Sequence, residues 1–386
     1  MTRAATHPLV EILKSRIAII DGAMGTTIRT YGKKEADIRG ERFKDSTKDL
    51  LNNGDLFSLT QPAMILDIHR RFLEAGADII ETNTFGATSI TQSEFFVEDP
   101  REHGGRKDPA FYQKIIEDKF LNDLAWEINF ESARQCRQAA DQVAAATGRP
   151  RFVAGAIGPL TVSLSNSPDA DDAGFRVVTF DQVKSAYAHQ VRALIAGGVD
   201  LLLVETIFDS LNAKAALVAI REVFDEDGLA ASGPKANNRE LPVMISAAVG
   251  RGGETLISAQ TTEAFWTAVK HVKPLSIGLN CSLGPDLMYP FLSELSEKAN
   301  VAISCYPNAG LPNPLSETGF DLGPPDMARS LTEFARAGLI NIAGGCCGNT
   351  PEHIAAIAKA LEGLPPRTIP TLSSEESVAL ESELKA

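Results

Sequence analysis

Short apolar runs recur along this chain, and the intervals between them are long enough to hold a helix. The runs are Ile17–Ile20, Asp78–Thr82, Phe152–Ile157, Leu201–Thr206, Val243–Ala248, Ser276–Asn280, Val301–Cys305 and Leu339–Ala343. They are continuous in Ile, Val, Leu and Ala rather than alternating, as expected of parallel strands covered on both faces. Between them the apolar period changes to that of a helix over Ala63–Glu74, Leu121–Ala146, Asp181–Ile195, Leu211–Phe224, Thr261–Lys270, Asp286–Lys298, Asp326–Arg336 and Pro351–Leu361. Thr350-Pro351-Glu352 supplies a cap, a first-turn proline and an early carboxylate, while Gly76, Gly197 and Gly338 follow helix ends.

Eight strands and eight helices in strict order predict a (β/α)8 TIM barrel, a single α/β domain with loop insertions. An open doubly wound sheet is the alternative. Within the pattern, Ala75–Thr82 echoes Ala196–Thr206: a helix ends on glycine and the next strand delivers Glu-Thr at its far end. Stacked βα units of one barrel produce such an echo. Glu94–Lys119 interrupts the rhythm as a charged insertion after the second strand, and Asp225–Arg239 does so as a polar loop before the fifth. The barrel is expected to span residues 1–366, with 367–386 as an acidic C-terminal tail or linker whose last part resembles a short helix.

Composition narrows the function. The chain has 386 residues and is 44% hydrophobic, enough for a large single core. Its net charge of −13 argues against nucleic acid or an anionic membrane as a partner. No run approaches the roughly 20 apolar residues that span a bilayer, and Met1–Arg16 lacks a signal-peptide core. Five cysteines in so long a chain do not suggest a disulfide framework, so a reducing, cytoplasmic setting is expected.

The candidate chemistry lies where the strands stop, which is where barrels gather reactive groups. Asp21, Glu81, Asn83, Glu205, Asn280, Cys281, Asn308, Cys346 and Cys347 all fall there, and no histidine does. Three thiols at strand ends suit a thiolate zinc site with one coordination position left over. Such a site is a weak generator of hydroxide, but it holds an incoming thiol as a nucleophilic thiolate, so alkylation of a thiol substrate is the expected reaction class. Vicinal cysteines can both be ligands only from an irregular turn, for which Gly344, Gly345 and Gly348 give the freedom. The competing readings are a redox pair or simple packing. Cys136 and Cys305 are expected to be core residues. Glu205, behind four aliphatic residues, needs a partner: a substrate ammonium, or an Arg or Lys of the chain. Glu81 fits either part, and Asp21-Gly22 also reads as an ordinary turn.

Asp21-Gly22-Ala23-Met24-Gly25-Thr26, Glu81-Thr82-Asn83-Thr84-Phe85, Val204-Glu205-Thr206, Gly278-Leu279-Asn280-Cys281 and Gly344-Gly345-Cys346-Cys347-Gly348 together resemble the homocysteine S-methyltransferase family. The resemblance covers about Ile17 to Pro366 and is nearest to the homocysteine-binding module of cobalamin-dependent methionine synthase. It implies that Cys281, Cys346 and Cys347 hold one zinc ion, completed by the sulfur of L-homocysteine. It further implies that Asp21 and Glu205 hold the amino-acid end, that backbone amides from Ala23 through Met24 to Gly25 take its carboxylate, and that Asn280 supports the site by hydrogen bonding. The product is then methionine. The multi-module relative continues into folate, cobalamin and activation modules, and the corrinoid motif Asp-x-His-x-x-Gly is missing here, since Asp67-Ile68-His69 is followed by Phe72 in place of glycine. Methylcobalamin on a separate corrinoid-protein partner is therefore the expected donor. A self-sufficient enzyme using S-methylmethionine or betaine is the alternative, and a non-catalytic zinc-binding barrel is the reading from another class. Betaine calls for an aromatic cage, and Trp126 and Trp266 fall in helical patterns rather than in strand-end loops.

Overall fold

The computed structural model describes residues 7–226, 240–316 and 318–370. Eight parallel strands run β1 (Ala18–Ile19), β2 (Ile79–Glu81), β3 (Phe152–Ile157), β4 (Leu201–Ile207), β5 (Val243–Ala247), β6 (Ser276–Asn280), β7 (Ala302–Tyr306) and β8 (Ile342–Ala343). From β2 to β8 each pairs with its sequence neighbour, and β8 pairs with β1. A parallel bridge between Ile20 and Ile79 joins β1 to β2, so the ring closes as a (β/α)8 barrel. The eight expected helices are all present, each within about two residues of its expected ends.

Side chains one residue apart on a strand point to opposite faces, and the buried residues divide accordingly. Ile80, Val153, Leu202, Ile245, Ile277 and Ile303 pack outward with the helices. Ala18, Ile79, Leu201, Leu203, Met244 and Tyr306 belong to a second cluster that fills the barrel. That inner cluster also takes Leu9 and Leu13 from the helix Pro8–Ser15, which plugs the barrel at the N-terminal ends of the strands. Burying the two leucines contributes roughly 1.5–3 kcal/mol each. The charged and apolar mixture before Ile17 is thus an amphipathic helix that reading the strand pattern alone passes over.

Two boundaries moved for local reasons. β8 is shorter than the apolar run Leu339–Ala343 because the Asn341 side chain accepts from Ile303 N at 2.9 Å and donates to Arg367 O at 2.8 Å. The side chain thus takes the hydrogen bond of Ile303 N, while the Asn341 backbone still donates to Ile303 O and accepts from Ala18 N. The helix Phe180–Gly197 includes Gly197, and it is Gly198, in the left-handed region at φ 97°, that caps it. Arg367, the residue after the expected barrel span, is buried: its guanidinium donates to the carbonyls of Ser296, Ala299 and Val301 at 2.6–3.0 Å. The insertion Glu94–Lys119 contains the helix Pro109–Glu117, capped by Asp108. Most of the Asp225–Arg239 loop, and the acidic stretch 371–386, lie outside the described residues.

Candidate active site

The wall of the barrel delivers the site by strand periodicity. On β4, Leu201 and Leu203 face inward, so Glu205 does too, at the strand's C-terminal end. Directly beyond it the ladder between β4 and β5 slips a residue, from Val204 opposite Ile245 to Ile207 opposite Ala247. This bulge carries Thr206 at φ 53°, a backbone that side chains adopt reluctantly. On β6, Asn280 faces inward and the chain then turns through Cys281 and Ser282 at φ 58° and 63°. Strain concentrated at strand ends marks a place where geometry is imposed for use.

Cys346 and Cys347 come from the turn after β8. Cys346 N donates to Pro307 O at 2.8 Å, Cys347 O accepts from Ala309 N at 2.9 Å, and the Asn349 amide bridges Pro307 O and Cys346 O at 3.0 Å each. Gly345 must be glycine, because a Cβ there would run into the Asn349 side chain. Both vicinal thiols consequently face Cys281. The three sulfurs all lie within 4.8 Å of one another, with Cys281 and Cys347 at 3.9 Å. Hydrogen bonds from Cys281 and Cys346 pull the Cys347 thiol down to about 3, while bonds to its two neighbours and burial push Cys346 well up. Three convergent sulfurs, of which the Cys347 thiol ionises most readily, are a donor set that fits a thiophilic cation, which lets all three ionise.

Beside the thiols stands a buried group of carboxylates. Glu205 is driven up to about 8 by burial and then by the charge at Cys281. Asp21 is raised by burial, against the hydrogen bond from Glu81 N and with the Glu205 charge; Glu81 is raised by burial and then by the charges of Glu205 and Asp21. Asp21 Oδ2 accepts from Glu81 N at 3.0 Å, whereas Asp21 Oδ1 is buried without a partner among the described residues. Among the described residues none of the three is ion-paired to an Arg or Lys, so a cation of the chain itself is not what Glu205 meets. Asn280 joins the two halves. Its Nδ2 donates to Thr206 Oγ1 at 2.8 Å and lies 3.5 Å from Glu205 Oε2 and 3.9 Å from Cys346 Sγ. Its Oδ1 accepts from Thr206 N at 3.0 Å and Ser246 Oγ at 2.7 Å.

Not every strand-end residue joins in. Asn83 turns away, donating to Gly54 O and Ser58 Oγ at 3.0 Å. Ala23 N is already committed to Asn349 O at 3.0 Å, whereas Met24 and Gly25 open the helix Met24–Thr30, whose first-turn amides have no intrahelical acceptor. Cys136 and Cys305 are fully buried core residues, Cys136 lying 3.2 Å from His69 Nε2 and Cys305 packing on Met288. Ser246, Tyr306 and Asn349 escape a reading of the sequence. Tyr306 does so because its strand was expected to stop at Cys305, and the alternation Ala302, Ser304, Tyr306 was the available signal. Outside the mouth, the insertion forms one wall of a cleft of about 720 Å³ lined by Arg101, Arg106, Lys107, Tyr112 and Phe175, with the Arg106 guanidinium 4.0 Å above the Phe175 ring.

A closed parallel barrel with three convergent thiols and buried carboxylates at its strand ends defines a thiolate-site barrel of the enzyme type. The chain belongs to the homocysteine S-methyltransferase family, whose model matches residues 18–361. Its fold is similar to that of the homocysteine methyltransferase MmuM of Escherichia coli. The metallated form of that protein superposes with a TM-score of 0.62 at 19% identity, over 90% of this chain and 96% of that one. Its oxidised form gives 0.62 at 18% identity, over 92% and 99%. No helix among the described residues is long and apolar enough to cross a membrane.

Proposed function

We propose that this protein transfers a methyl group to the thiol of L-homocysteine, giving methionine, with zinc held by Cys281, Cys346 and Cys347. The observation that carries the reading is the adjacency of three thiols within 4.8 Å to buried carboxylates that have no Arg or Lys partner among the described residues. A short amino acid with a thiol at one end and an ammonium at the other matches that pair of environments. Three thiolates leave one tetrahedral position open, and MmuM, which shares the fold, is itself known in a metallated form.

Zinc in this site supplies a Lewis acid that lowers the pKa of the substrate thiol while its sulfur ligands leave the resulting thiolate nucleophilic. The chain's own residues do the rest. Asp21 and Glu205 hold the substrate ammonium, and the free amides of Met24 and Gly25 receive its carboxylate, with Ala23 shaping that turn. Asn280 keeps Glu205 and Cys346 in register through its bonds to Thr206 and Ser246. Held at both ends, the deprotonated substrate sulfur attacks the donor methyl in line as the methyl–donor bond breaks and leaves its electron pair on the donor, and alignment provides much of the rate gain.

The donor we favour is methylcobalamin carried by a separate corrinoid protein, with this chain as the homocysteine-activating subunit of a split methionine synthase. The tryptophans support a non-betaine donor: Trp126 and Trp266 lie on the helices Lys119–Thr147 and Thr262–Val269, away from the strand ends. In the same reading the barrel through Pro366 is the catalytic unit and the acidic tail, with the Glu94–Lys119 insertion, serves the partner. The test supplies zinc-loaded protein with L-homocysteine and either methylcobalamin or S-methylmethionine, and measures methionine. Turnover with methylcobalamin alone supports the split enzyme. Efficient turnover with S-methylmethionine replaces it by a self-sufficient methyltransferase. Zinc retention without turnover on either donor, with a corrinoid protein added, leaves a non-catalytic barrel.

A further inference from the structure

One side chain in the site has no role in the reading above. Tyr306 ends β7 and is almost fully buried, yet its hydroxyl has no hydrogen-bond partner among the described residues. Its direction follows from the strand. Cys305 points outward to Met288, so Tyr306 points inward, and it is a member of the cluster inside the barrel. Tyr306 is also the register partner of Asn280, whose side chain lies against Glu205 and Cys346. Ser246, the one side chain whose hydrogen bonding acts on the phenol, does so only weakly against burial, because its own proton goes to Asn280 Oδ1 at 2.7 Å.

A buried hydroxyl left unpaired costs about 1–3 kcal/mol, and native proteins seldom leave one without reason. A second buried polar atom in the same site, Asp21 Oδ1, is unpaired as well. Both groups feel the Glu205 charge, so an unsatisfied carboxylate oxygen and an unsatisfied phenol share its surroundings and suit a group with several donors. An alkylammonium carries three N–H donors and no acceptor, and Asp21, Glu205 and a phenol lone pair offer three acceptors. Burial, with the Glu205 and Glu81 charges next, keeps the phenol protonated, so its proton remains available to the neighbouring carboxylates.

We infer that Tyr306 is a substrate-binding residue, its hydroxyl oxygen completing with Asp21 and Glu205 the three-acceptor cage for the substrate's ammonium group. This assignment rests on the homocysteine reading and adds a residue to it. It predicts a dependence on the amino group that a packing role for the ring would not have.

The test compares zinc-loaded wild-type protein with Tyr306→Phe, which keeps the ring and removes only the hydroxyl. Binding of L-homocysteine and of 4-sulfanylbutanoate, the same thiol without its amino group, is followed by calorimetry, with zinc content and Tm as controls. The variant is expected to bind homocysteine about tenfold or more weakly, the loss of one hydrogen bond to a charged group. It is expected to bind 4-sulfanylbutanoate as wild type does. Equal weakening of both ligands, or weakening of neither, overturns the assignment and leaves the homocysteine reading intact. Wild-type protein that binds 4-sulfanylbutanoate as tightly as homocysteine overturns the ammonium cage and this assignment together.

Discussion

Cys281 and Cys347 stand 66 residues apart in the chain, and their sulfurs lie 3.9 Å from each other. The closeness is imposed from both sides, by the left-handed turn at Cys281 and by the hydrogen bonds that fix the turn after β8. Removing one of these sulfurs leaves a two-thiol remnant. Cys347→Ala is therefore expected to lose zinc and methionine formation together, with the far-UV circular dichroism unchanged. Metal content per chain and turnover, measured on the same preparation, check it. Full zinc retention in an inactive variant would falsify the ligand set.

Gly345 tests the turn rather than the ligands. Its alanine variant would force a methyl group against Asn349, whose amide holds Pro307 and Cys346. Gly345→Ala keeps every thiol yet is expected to hold zinc at least tenfold more weakly, as read by competition with a chromophoric chelator. Unchanged affinity would mean that the turn yields cheaply.

Asn280 makes five buried or partly buried contacts across the site. Asn280→Ala strands the Thr206 amide and the Ser246 hydroxyl, each costing about 1–3 kcal/mol. A loss of stability on the order of 3 kcal/mol in urea denaturation is expected, together with weaker homocysteine binding. A variant as stable as wild type would show that water replaces the amide without cost.

The plug at the barrel base predicts a separable effect. Leu13→Ala removes a side chain that is 2% exposed and lies far from the thiols. It is expected to cost about 2–5 kcal/mol of stability, while kcat at a temperature where the variant is folded stays at the wild-type value. A fall in kcat at full zinc occupancy would tie the base to the chemistry.

Asp55 supplies a pH dependence outside the site. Burial raises its carboxyl to about 7 against an ordinary 3.8, so between those values the folded chain holds a proton that the unfolded chain has released. The folded state then binds more protons, and this group's contribution to stability falls as pH rises through that window. Its slope is at most about 1.4 kcal/mol per pH unit. Asp55→Asn removes it, so the variant is expected to lose less stability than wild type between pH 5 and pH 7. Parallel stability curves for the two proteins would exclude a protonated Asp55.

Much of this was legible in the residues because barrel chemistry is local in sequence. An apolar run that ends in Glu205, or in Asn280-Cys281, already places those groups at a strand end. Two such runs with thiols, one of them doubled between glycines, announce a shared ligand site. Thr350, Asp108 and Asp118 cap their helices by contacts three residues away, and spacing suffices to read them. The helix Pro8–Ser15 was hidden because its apolar face has meaning only when a barrel base exists to receive it. Ala23 reads as a ligand-facing amide until the fold lays Asn349 O against it.

By itself the sequence determined the eightfold βα order, the inward alternation of each strand and the identity of the thiols and carboxylates, since these depend on period and position along one segment. The tertiary structure alone decided which of the polar strand ends meet. It brought β4, β6 and β8 to one mouth, turned Asn83 out of it, set Asn280 between Glu205 and Cys346, and left Asp21 Oδ1 and the Tyr306 hydroxyl without partners among the described residues. Those relations depend on ring closure and on register between strands distant in sequence. Both are fixed by packing across the whole barrel and not by any one segment's pattern.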